Sequence, residues 1–189
     1  MIFHYINRGK DEYVKSLYRV FQQNQEITDK LRTLVKTVST YFNAAIKEGN
    51  RWYYEYPKDY LFTLGEEVEI RMCKNNCPDI VTKTRDVIEA TIETVDRILE
   101  NSLSEYHLHH NQARPVRLYT DSKIVLITDG KYGINKYSMT YLRRAKDLGE
   151  NLKEEYTELP EVTHKEIVDA AVRLYLSEAA STKSDRSDD

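Results

Sequence analysis

The strongest constraint in this sequence is local and lies near its end. Leu159-Pro160 interrupts the preceding chain, and the residues that follow carry the marks of a helix start. Thr163 and Glu166 form a T-x-x-E capping box, in which each side chain can satisfy an orphan backbone N–H of the first turn. Val162 and Ile167 occupy the positions of a hydrophobic staple. Ile167, Ala171, Leu174 and Tyr175 then share one face, with Val168, Val172 and Leu176 beside them.

Three more helices are expected from apolar spacing. The first runs from Asp11 to about Gln23, with Tyr13, Leu17, Val20 and Phe21 on one side. The second runs from about Glu26 to Lys47 through Ile27, Leu31, Leu34, Val35, Val38, Phe42 and Ala45. Gly49-Asn50 suits its C-terminal stop. The third covers about 84–103, with Ile88, Ile92, Val95, Leu99 and Leu103 as its stripe. Between them the period switches to two. Trp52, Tyr54 and Tyr56 alternate with polar or outward residues, and so do Val68, Ile70 and Met72. Residues 104–114 read as loop. Strands resume at Val116 and Leu118 and over Ile124–Ile127, and Asp129-Gly130 is a hairpin signal before a strand carrying Tyr137, Met139 and Tyr141.

This order predicts an α+β fold: an antiparallel helix bundle of N- and C-terminal helices, with an inserted β-rich lobe containing one further helix. The expected division is 1–50 and 159–180 as the helical core and 51–145 as the insertion. A linker at 146–158 and a polar tail at 181–189, of disordered composition, complete it.

With 189 residues the chain can build one good core and a small second lobe. Its formal net charge of -3 gives no global nucleic-acid footprint. The sequence shows no signal peptide and no apolar run near the roughly 20 residues that span a bilayer. Synthesis in a reducing cytoplasm is therefore expected, with Cys73 and Cys77 as thiols. Tyrosine is the outlier, with 15 residues against 4 Phe and 1 Trp. Tyr offers large contact area with a polar tip, which suits interfaces, but it also favours strands.

Candidate chemistry is sparse. Cys73, Cys77, His107, His109 and His110 are zinc-ligand types, yet their spacing does not match a structural zinc site. There is no nucleophile elbow and no phosphate-cradling glycine loop. His164 sits at a helix N-terminus, where a cation is disfavoured. Carboxylate pairs such as Glu66-Glu67 and Glu154-Glu155 read as solvated surface. No enzyme activity, catalytic residue or cofactor is expected. Arg143, Arg144 and Lys146 make a local basic spot, whereas the expected third helix is acidic and unsuited to a DNA groove.

Three segments carry a resemblance. Leu159–Val172 follows L-P-E-x-x-H-x-E-I-V-x-x-A-V, Tyr56–Leu61 contains a P-x-D-Y-L turn, and Thr140–Arg144 contains x-Y-x-R-R, with Ala145 where a proline usually follows. Together they resemble the ring (adaptor) proteins of the head-to-tail connector of short-tailed, crAss-like bacteriophages, over roughly 40–178. The resemblance implies a virion structural protein, assembled in the host cytoplasm. It implies a ring, dodecameric by that likeness, in the portal–tail connector around the DNA channel. Identical subunits, the portal and adjacent ring or tail proteins are the implied partners. DNA would pass without sequence-specific binding, and no membrane is involved. From residue type and position, the expected contact residues are Tyr53, Tyr60, Tyr119 and Tyr132 and the tail from Ser181 through Asp185 to Asp189. The alternative is a soluble helical binding, regulatory or assembly-chaperone protein outside the virion.

Overall fold

The structure, a computed structural model, describes residues 2–21, 23–73, 80–109, 112–120, 122–149 and 158–184. In chain order the elements are α1 (Ile2–Tyr18), α2 (Gln25–Leu31), β1 (Val35–Tyr41), β2 (Ile46–Glu48), β3 (Arg51–Glu55), β4 (Tyr60–Cys73), β5 (Ile80–Asp86), β6 (Ile88–Ala90), α3 (Val95–Glu100), β7 (Val116–Tyr119), β8 (Lys123–Ile127), β9 (Gly133–Arg143) and α4 (His164–Ser184). They form two compact units. One comprises Met1–Val35 with Leu142–Asp189, the other Lys36–Tyr141.

The chain mixes α and β, but the expected antiparallel helix bundle is not formed, and two sheets dominate. In the terminal unit α1 and α4 make a single pair. Tyr5 near the start of α1 meets Tyr175 edge-on at 5.3 Å, and Tyr13 meets Glu166 at the start of α4. Gly9 is where the two backbones close in. A Cβ there would lie 2.7 Å from the Ala171 nitrogen and 2.9 Å from the Ile167 oxygen. The long helix expected over 26–47 stops at Leu31, and a 3-10 turn leads into β1. Val35, Thr37, Val38 and Thr40 are β-branched, which costs χ1 freedom in a helix and suits a pleated strand. The helix expected over 84–103 fails for the same reason. The β-branched Thr84 goes into β5 and Ile88 into β6, and within the expected span only Val95–Glu100 is helical.

The start of α4 also departs from expectation. The Thr163 hydroxyl donates to the Pro160 carbonyl at 2.7 Å inside a preceding 3-10 turn. The Glu166 carboxylate accepts instead from Tyr13 at 2.5 Å and pairs with Lys30 at 3.4 Å. The capping box therefore gives way to tertiary bonds, and Val162 stays exposed rather than stapling Ile167.

In the Lys36–Tyr141 unit the strand orders are β1-β9-β4-β5 and β2-β3-β8-β7-β6. Trp52, Tyr54, Ile124 and Leu126 from the five-stranded sheet pack against Val68, Ile70, Ile134 and Met139 from the four-stranded one. The far face of the five-stranded sheet, with Val116, Leu118, Val125 and Ile127, is covered by Val95 and Ile98 of α3 and by Tyr106. The turn chemistry is redistributed. Gly49-Asn50 makes a two-residue hairpin between β2 and β3, with Glu48 opposite Arg51 and Gly49 at φ 58°. Asp129-Gly130 is not a hairpin, because β8 and β9 belong to different sheets. The Asp129 carboxylate instead accepts from the backbone N–H of Leu108 (2.8 Å) and Lys131 (2.9 Å), while Gly130 turns at φ 83°.

Candidate assembly surfaces

Most of the described tyrosines build the interior rather than the surface. The Tyr106 hydroxyl donates to the Thr128 carbonyl at 2.6 Å, Tyr132 to the Tyr106 carbonyl at 3.1 Å, and Tyr141 to Asp59 at 2.8 Å. In these three the ring supplies core area and the tip finds an acceptor, whereas the buried Tyr54 hydroxyl has none among the described residues. Of the four tyrosines expected at contacts, Tyr132 is therefore buried. Tyr53 and Tyr60 are half-buried, and Tyr60 stacks beside Tyr56 at 4.7 Å. Tyr119 is exposed, with the Arg117 guanidinium 3.7 Å from its ring centre. The side chain of Ser181 and all of Asp185 and Asp189 lie outside the described residues.

A buried ion pair lies in the two-sheet unit. Arg117 Nε donates to Glu66 Oε1 at 2.7 Å, with both side chains almost wholly buried, and Tyr137 donates to the same oxygen. Arg117 Nη2 reaches the Tyr56 hydroxyl at 3.0 Å. Burial pushes the Glu66 carboxyl above its ordinary pKa, although Tyr137 and Arg117 pull the other way. Glu66 is thus no solvated carboxylate. Its place on β4, in register with Val68, Ile70 and Met72, was visible as period-two alternation. Glu67 points outward as expected.

The zinc-ligand types do not come together among the described residues. The rings of His107 and His109 are 6.2 Å apart, and His109 Nε2 lies 3.3 Å from the Ser102 carbonyl. No group of three His, Cys, Asp or Glu among the described residues is placed to hold a metal ion. Cys77, His110 and the side chain of Cys73 lie outside that set. His107 and His109 instead line an open cleft of about 720 Å³ with Thr84, Asp86, Leu103 and Arg114. The basic spot at 143–146 is partly neutralised, since Arg143 pairs with Glu158, whose far oxygen is 3.9 Å from Lys146. Burial alone would raise Glu158, but the bonds from Arg143 and the Lys146 backbone hold it below its ordinary pKa.

Exposed apolar side chains gather in several places among the described residues. On α4, Val168, Val172, Tyr175 and Leu176 form an exposed stripe, while Ile167, Ala170 and Ala171 face inward. In the two-sheet unit, Tyr41, Phe42 and Ile46 are exposed on and between β1 and β2. No described helix is long and apolar enough to cross a membrane. Apolar side chains grouped at the surface in this way suit contact with other proteins. A family model described as phage tail ring protein 3/4 matches residues 2–187. The chain belongs to this phage tail ring family of crAss-like phages, and is thereby a virion structural protein that assembles as a ring in the tail. A search of curated proteins finds no match.

Proposed function

We propose that this chain is one subunit of a closed ring of about twelve copies in the portal–tail connector, joining capsid to tail and surrounding the DNA channel. The family match over residues 2–187 carries the reading, and the exposed apolar stripe of α4 supports it. The role is mechanical: the subunit holds its neighbours, and it does no chemistry. Subunits are made in the host cytoplasm and join the particle by covering surfaces that are wet in the free chain. The α4 stripe faces the adjacent ring or the portal, and the 181–189 tail reaches to the same layer. DNA passes through the channel without specific contacts, because every phosphate bound adds affinity and would retard ejection. Quantifying this chain against the portal in purified particles tests the reading. Equal copy number is expected, and absence from particles would refute it.

A further inference from the structure

Among the described side chains of the Lys36–Tyr141 unit, six large apolar ones are between 40% and 89% exposed: Tyr41, Phe42, Ile46, Ile92, Leu103 and Tyr119. Their positions follow the sheet topology. Tyr41, Phe42 and Ile46 lie on or between β1 and β2, which are edge strands of the two sheets and consecutive in sequence. The opposite edges are β5 and β6, also consecutive and separated only by Val87. Ile92 follows β6 by two residues, and Tyr119 ends β7, the strand beside β6. Leu103 lines the cleft that includes Thr84, Arg85 and Asp86 of β5. The exposed apolar residues of this unit therefore sit along its two open margins.

The margins also match in length. β1 and β5 each have 7 residues, and β2 and β6 each have 3. An unpaired edge presents a row of backbone N–H and C=O groups that can template another strand, and such edges are ordinarily blunted by charge. The single charged side chain of β1, Lys36, is held by Asp59 at 3.0 Å, which leaves Thr37–Tyr41 uncharged. A closed ring needs a heterologous contact, made by two different patches on each subunit. Two opposite, length-matched edges, the second carrying Lys83, Arg85, Asp86 and Glu89, are two different patches of this kind.

We propose that the β1–β2 margin of one copy joins the β5–β6 margin of the next, strand against strand, so that both sheets continue around the ring. This is strand addition between copies, with backbone hydrogen bonds supplying affinity and the flanking apolar side chains supplying fit. It rests on the ring assembly of the family and names the surfaces that close it. The partner is a second copy of this chain. The α4 stripe is left free for a different protein.

The test uses the full chain in assembled particles, with Tyr41 replaced by a photo-cross-linking benzophenone amino acid. After irradiation, the cross-linked dimer of this chain is digested and mapped by mass spectrometry. The expected links join position 41 to residues 80–92, 103 or 119 of another copy. Links to residues 36–48 of another copy, to α4, or solely to a different protein overturn the proposal. Ile92→Asp, at an exposed position, is expected to lower copy number in particles at least about tenfold. Unchanged incorporation overturns it too. If the unaltered chain is missing from particles, the ring reading itself fails; if it is present and the links lie elsewhere, only the margin pairing fails.

Discussion

Glu66→Gln isolates the buried ion pair of the two-sheet unit. The substitution keeps shape and removes charge, leaving the Arg117 guanidinium with no exposure and with the Tyr56 and Tyr137 hydroxyls and the Tyr119 ring among its described partners. Breaking one half of a buried pair costs about 3–5 kcal/mol, because the other charge stays out of water uncompensated. With a urea dependence of about 2 kcal/mol per molar, the unfolding midpoint falls by roughly 2 M. Trp52 is the single tryptophan and is buried between the sheets, so its fluorescence reports this unit directly. Arg117→Met is expected to cost less than Glu66→Gln, since the Glu66 carboxyl, already pushed up by burial, can take a proton. The double variant Glu66→Gln/Arg117→Met should cost far less than the two singles together. Arg117 Nη1 and Glu66 Oε2 have no hydrogen-bond partner among the described residues, so the native pair itself bears a desolvation cost. Glu66→Gln costing under about 1 kcal/mol, or singles that simply add, would refute a buried, coupled pair.

Three further outcomes are expected. Gly9→Ala should destabilise the α1–α4 pair by about 1–2 kcal/mol, as a Cβ against α4 backbone outweighs the gain of about 1 kcal/mol in helix propensity; a helical circular dichroism melt that rises instead would contradict the close approach. Ile167→Asp should unfold that unit, whereas Val168→Asp, on the exposed stripe, should shift stability by about 0.5 kcal/mol or less and impair incorporation into particles; equal unfolding by both would remove the stripe as a surface. Glu158, Glu166 and Glu178 all sit in the terminal unit below their ordinary 4.5, so their stabilising charge is present above that pH and is lost as pH falls through the lowered values. Helical signal should therefore decline below pH 4.5, and Glu158→Gln with Glu166→Gln should flatten that decline; an unchanged slope would refute the linkage.

Local pattern and tertiary pairing separate cleanly along this chain. The alternation at Val68, Ile70 and Met72 and the apolar face of the last helix are visible in sequence because burial on one face imposes a period. The same alternation places Glu66 inside, which its charge alone concealed. Residues 35–41 and 84–90 defeat helical spacing because their β-branched content meets strand partners. β1 pairs with β9, where Thr37 bonds Thr140 and Ser39 bonds Ser138 about a hundred residues away. No window of sequence contains that contact. Gly49 and Gly130 mark real positive-φ turns, but which strands each turn joins depends on the sheet that receives them. The capping residues Thr163 and Glu166 were legible as hydrogen-bonding groups, while their partners Pro160, Tyr13 and Lys30 were set by packing. The surface tyrosines show the same limit, since Tyr132 and Tyr119 differ in burial and not in any local signal.

Native mass of the purified 22.3 kDa chain, alone and then mixed with its cognate portal, tests the central claim most directly. A closed oligomer adding about twelve copies to the portal is predicted. A chain that stays monomeric beside both the portal and the neighbouring ring proteins would contradict a connector ring.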